Sequence, residues 1–131
     1  MSSSLLRGID AVTMPVPDLD AGLEFYRDRL GHRLLWRHDK LGQAGLELGD
    51  QITELVLTTR APYAPSWLVW SAAEAAEAVV AAGGRRVVDP SDIPVGHLAV
   101  AADAFGNELV LVDLSKGRYV TDRQGNVTGV K

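Results

Sequence analysis

The chain has 131 residues, 47% apolar and 23% charged, a balance that excludes disorder, collagen-like repeats and coiled coil and gives material for one hydrophobic core. A net charge of −4 and a pI of about 5.3 supply no basic field to displace counterions from phosphate, so neither nucleic acid nor an anionic membrane is an expected partner. The lack of cysteine removes disulfides, thiolate metal sites and a cysteine nucleophile together.

Ser2 to Ser4 read as a tail, and MSSSLLRGID has no basic region followed by a sustained apolar one, so a cytoplasmic protein is expected. A strand follows over Ile9 to Val16. Asp18 is placed to N-cap a helix whose apolar residues Leu19, Leu23, Tyr26 and Leu30 recur at helical spacing, and Gly31 ends it. Leu34-Leu35-Trp36, Ala44 to Leu48 and Thr53 to Thr59 read as strands, with a turn at Gly49-Asp50.

The second half does the same. Trp67 to Trp70 reads as a strand, Ser71 as a cap, Ala72 to Ala82 as a helix stopped by Gly83-Gly84, and Val87-Val88, Leu98 to Ala102 and Leu109 to Val112 as strands. Val16 falls on Val69, Glu24 on Glu77, Gly31 on Gly84, Leu34 on Val87 and Asp50 on Asp103, all at an offset of 53. A constant offset through helix, turn and strand marks an internal repeat, two copies of one βαβββ module. After Leu114 a polar extension, Ser115 to Lys131, contains a short hairpin with Gly125 in its turn, expected to pack on the domain surface or on a partner subunit.

Met14-Pro-Val-Pro-Asp-Leu-Asp-Ala-Gly-Leu-Glu-Phe-Tyr-Arg-Asp-Arg-Leu-Gly31 resembles the first helix of the glyoxalase/bleomycin-resistance (vicinal oxygen chelate) superfamily. Asp103-Ala-Phe-Gly-Asn-Glu-Leu-Val-Leu-Val-Asp113 resembles its final hairpin, with Ala104 where proline is usual. The resemblance covers about Leu6 to Leu114. It implies an α+β fold of two tandem βαβββ modules forming curled half-barrels around a concave cleft. The single domain then divides into module one at about 5–60, module two at about 64–114 and the extension at about 115–131. A homodimer is implied by the same resemblance.

Enzymes of this superfamily hold a divalent metal with His and Glu side chains from the first and last strands of each module. By the resemblance, the first-strand position lies seven residues before the capping aspartate, at Ala11, and the last-strand position four residues after Gly106, at Val110. The repeat adds Ala64 and Val56. All four are apolar, so no metal, no cofactor and no catalytic residue is expected, and the chain reads as a binder rather than an enzyme. One rival keeps a relocated site: Glu54 and Glu108 precede Val56 and Val110 by two residues and share their face, and His97 or His38 could supply an imidazole. Against it, both carboxylates read as solvent-exposed at strand entrances, and His32, behind Gly31, also reads as exposed. No G-x-S-x-G, Walker, G-x-G-x-x-G or H-E-x-x-H motif is present.

With donors replaced by Ala and Val, the cleft is expected to bind by burial of apolar surface. The expected ligand-binding residues are Trp36, His38, Val56, Tyr63, Trp67, Trp70, His97, Phe105 and Val110. His97 is expected beside Ala99 and Ala101, whose small side chains would leave a ligand room. The chain resembles the metal-free, drug-binding members of the superfamily, which implies antibiotic resistance by sequestration of a largely apolar or aromatic natural product. A metal-dependent glyoxalase- or dioxygenase-type enzyme and a housekeeping ligand-binding domain remain open. Richness in alanine, valine and arginine with only three lysines suggests a bacterial genome of high GC content.

Overall fold

The computed structural model describes residues 4–49 and 51–131, so the readings of Ser2, Ser3 and Asp50 lie outside the described residues. The chain forms two compact units. One contains 11–64 and 119–129; the other contains 65–118 with 4–10 and 130–131.

Module one runs β1 (Gly8–Pro15), α1 (Leu19–Leu23), β2 (Leu34–His38), β3 (Gln43–Leu48) and β4 (Gln51–Thr58). Its strands lie in the order β2-β3-β4-β1, with β1 parallel to β4 and the other pairs antiparallel. The Asp18 carboxylate caps α1 by accepting the Ala21 N–H at 2.7 Å. The helix then widens into a π-helix, Glu24–Arg29, which sequence periodicity does not reveal. Gly31 closes it at φ +85°, a conformation that favours glycine. Leu19 and Leu23 pack on Ala44, Leu46, Leu55 and Leu57, so one face of the sheet is committed to the helix.

Module two runs β5 (Ala64–Leu68), α2 (Ala72–Ala81), β6 (Arg85–Ile93), β7 (Gly96–Ala102) and β8 (Glu108–Asp113), in the order β5-β8-β7-β6. The first strand starts three residues earlier than the sequence suggests and ends before Trp70. Ser71 caps α2 by accepting the Glu74 N–H. Ala72, Ala75, Ala76 and Val79 bury against Ala99, Ala101 and Leu111; the methyl groups let helix and sheet approach closely. At Gly84 an added Cβ would collide with the Ala102 carbonyl. Strand β6 is longer than Val87-Val88 alone suggests. It lies at the end of the strand order, where Pro90 costs no ladder bond and Arg85, Arg86, Asp89 and Asp92 discourage pairing with another chain.

The extension forms the hairpin β9 (Tyr119–Thr121) and β10 (Val127–Val130). In its turn the Asp122 carboxylate accepts the N–H groups of Gln124 and Asn126, and Gly125 takes φ +88°. Among the described residues no helix is long and apolar enough to cross a membrane.

Candidate functional site

The strands of each module give one face to that module's helix; the other face is the candidate site. In β4 the helix takes Leu55 and Leu57, so strand alternation puts Glu54, Val56 and Thr58 on the opposite side. The ladder aligns Thr13, Val56, Gly45 and Trp36 in one cross-strand row. The Trp36 indole lies across Gly45, where a Cβ would strike its Nε1 and Cε2 atoms. Its Nε1–H donates to Glu54 Oε1 at 2.7 Å. Ala11, opposite Glu54 in the β1–β4 register, is buried with Val56 and Trp36.

The hairpin covers this face. Tyr119 and Val127 pack against the Ala11, Val56 and Trp36 cluster, and the Tyr119 ring lies 4.7 Å from Trp36 and 5.7 Å from His38, centroid to centroid. The Arg37 N–H donates to the Gly125 carbonyl at 2.8 Å, anchoring the hairpin to β2. Burial pushes the Tyr119 hydroxyl above its ordinary range, and the charge of Glu54 pushes it further. Glu54 is therefore half-buried, not the exposed strand-entrance carboxylate that the sequence suggests.

In module two the equivalent row is Ser66, Val110, Val100 and Val88. Val100 and Val110 are half-buried and Val88 is 45% exposed. Glu108, two residues before Val110 as Glu54 is before Val56, is exposed.

Trp36, His38 and Val56 thus come together on one face of module one, and Val110 stands on the matching face of module two. Trp67 does not join it: the side chain packs with the α2 core, on the helix side. Tyr63 and Phe105 are 69% and 88% exposed in loops. Trp70, beyond the end of β5, is 72% exposed with the Arg7 guanidinium 3.4 Å above its ring.

His97 needs the larger correction. It shares a face with Ala99 and Ala101 as expected, but that face belongs to α2, and both alanines are fully buried under the helix with no room for a ligand. Its Nδ1 instead lies 3.1 Å from Asp113 Oδ1 and 3.1 Å from Ser115 Oγ, and its Nε2 lies 3.3 Å from Asp92. Ser115 and Asp113 meet the same ring nitrogen, so the imidazole cannot relay a proton from one to the other as a nucleophilic triad requires. The relocated metal site is likewise not assembled in this module. Glu108 lies opposite Ala102 and His97 opposite Asp113, five residues apart along the ladder, or roughly 17 Å. His32, expected to be exposed, is half-buried and its Nδ1 meets the Glu47 carbonyl at 3.0 Å.

Sequence reasoning missed Asp113. Its Oδ2 accepts the Ala72 N–H, the first of α2, at 2.7 Å, while Oδ1 accepts from His97 N–H, Ser115 N–H and the Ser115 hydroxyl. Burial pushes this carboxyl up, but bonds from Ala72, Ser115 and His97 outweigh it and hold the pKa at about 2. The signal was available: an acid ending an apolar strand, in register with a buried face.

The residues do not fit the metal that the resemblance implies. Ala11 and Val56 are hydrocarbon, buried under an indole, and Val110 offers no donor. Among the described residues no three His, Asp or Glu side chains converge on a metal position.

Solved structures share this fold. Methylmalonyl-CoA epimerase from Mycobacterium tuberculosis is 23% identical with a TM-score of 0.65, over 86% of this chain and 91% of that one. A hypothetical protein from Bacillus halodurans is 20% identical with a TM-score of 0.63, over 81% and 93%. The S115T variant of Streptomyces coelicolor methylmalonyl-CoA epimerase, in complex with 2-nitronate-propionyl-CoA, is 23% identical with a TM-score of 0.59, over 82% and 94%. At these identities the likeness is one of fold. No curated protein sequence matches the chain. The model of the Glyoxalase/Bleomycin resistance protein/Dioxygenase superfamily matches residues 8–111, the span of the two modules, and the chain belongs to that superfamily.

Proposed function

We propose that this protein binds a largely apolar or aromatic small molecule without a metal and without making or breaking a bond, and that it confers resistance to an antibiotic-like natural product by sequestering it. The observation that carries this reading is the chemistry of the superfamily's metal positions, where Ala11 and Val56 are packed into a hydrocarbon cluster and Val110 stands on an apolar row. The module-one cluster is already covered by its hairpin, so the surface that binds by burial, at about 25 cal/mol per Å² removed from water, is the partly exposed row of Val88, Val100 and Val110. Protection then depends on affinity and protein concentration alone. By its superfamily, we propose a cytoplasmic homodimer, to be checked by analytical ultracentrifugation.

Elemental analysis of protein purified without chelator tests the metal-free part, with less than about a tenth of an equivalent of any transition metal expected; a stoichiometric metal overturns it. Tryptophan fluorescence titrated with glycopeptide, polycyclic and enediyne-type compounds tests the binding part. Quenching is expected in the micromolar range for at least one class, and silence across the panel leaves the housekeeping domain as the better reading.

Glu54 favours one other reading. A half-buried carboxylate held by Trp36 beside the Ala11 position could serve as a general base, and two of the similar folds are those of methylmalonyl-CoA epimerases. Turnover of any acyl thioester by the native chain that vanishes in Glu54→Gln would establish it.

A further inference from the structure

The internal repeat shows what a complementary occupant of module two's row looks like, because module one carries its own. In module one the row Val56, Gly45, Trp36 presents an indole whose ring lies over the sheet and whose N–H reaches the carboxylate two residues before Val56. A tyrosine from the hairpin covers that indole. In module two Val110, Val100 and Val88 are paired across the strands in the same order, with β6 irregular on both sides of Val88, and the carboxylate two residues before Val110 is Glu108. There Val88 stands where Trp36 stands, so the row lacks an indole's worth of aromatic surface. Among the described residues no side chain bonds Glu108.

From this we infer that the ligand of module two is a planar aromatic molecule carrying an N–H or protonated amine, its ring on Val88, Val100 and Val110 and its donor on Glu108. It would reproduce from solution the arrangement that Trp36 makes with Glu54. The inference rests on the binding reading above and adds the ligand's chemistry and the residue that selects it. An N–H donor to an exposed carboxylate adds a charge-assisted bond to the apolar contact, and an anion in the same place meets repulsion.

The probes are 9-aminoacridine and acridine-9-carboxylate, similar ring systems that differ in the sign of the polar group, titrated by fluorescence. The native chain is expected to bind the amine at least tenfold more tightly. Glu108→Ala should remove that preference while leaving carboxylate affinity unchanged or improved, and Val88→Trp, which supplies the missing indole, should weaken both by tenfold or more. Glu108 and Val88 are exposed, so both variants should keep the native far-ultraviolet spectrum. A preference that survives Glu108→Ala overturns the inference. So does a native preference for the carboxylate, which would put Arg85, across Ala102 in the Glu108 row, in control. Binding of compounds from the antibiotic panel but of neither acridine overturns the inference and leaves the sequestering reading standing; a stoichiometric metal overturns the reading itself.

Discussion

Asp113 shows how much one side chain carries. Its carboxylate ties the first N–H of α2 to the start of β7 and to the segment after β8, with a side chain only 4% exposed. Its folded pKa of about 2 lies below the 3.8 of an unperturbed aspartate, so the unfolded state binds the proton more tightly. The stabilisation is therefore present above about pH 4 and is lost as pH falls from there toward 2, to the extent of about 2 kcal/mol. Urea unfolding of the native chain at pH 7 and pH 2.5 should show that loss. Asp113→Asn should lower stability at pH 7 and lose less on acidification; equal acid losses in both proteins would assign the effect elsewhere. Gly45 acts by having no side chain. Gly45→Ala places a methyl on the Trp36 indole and against Glu54, an overpacking that should cost roughly 1–3 kcal/mol, with a red shift in tryptophan emission as its signature.

At the scale of elements, local signals were legible where the chain answers to itself alone. Asp18 and Ser71 cap the helices they were expected to cap, and Gly31 and Gly84 follow them. Substituting Ser71 by Ala should cost about 1 kcal/mol, with the Asp113 bond to Ala72 holding the first turn, so amide exchange should rise most at Glu74, whose N–H the serine accepts. A rise spread evenly along α2 would mean that the serine nucleates the whole helix. What the sequence left open was the side of the sheet on which the helix lands. Alternation separates His97, Ala99 and Ala101 from Leu98, Val100 and Ala102, but only packing decides that the first set lies under α2. Sequence reasoning therefore places His97 and Trp67 with Val110 on one face, whereas packing puts the first two on the helix side and leaves Val110 with Val88 and Val100 on the other. The π-helix was missed because its apolar spacing imitates an α-helix over a single turn.

At the scale of the molecule, the offset of 53 disclosed the two modules because repetition needs no knowledge of packing. The hairpin's destination was not legible, since Tyr119 and Val127 find Trp36 across more than eighty residues of chain. Charge and acid stability then separate two events that both follow from lowering the pH. The net charge of −4 falls to zero near pH 5.3, where colloidal repulsion is weakest, while the Asp113 contribution is intact until pH falls below about 4. Turbidity should therefore peak near pH 5.3 with native circular dichroism and clear on return to pH 7. Loss of the near-ultraviolet signal should begin only at lower pH, after the charge has reversed. If the two transitions coincide in pH, precipitation follows unfolding, and a group other than Asp113 governs the acid limit of this fold.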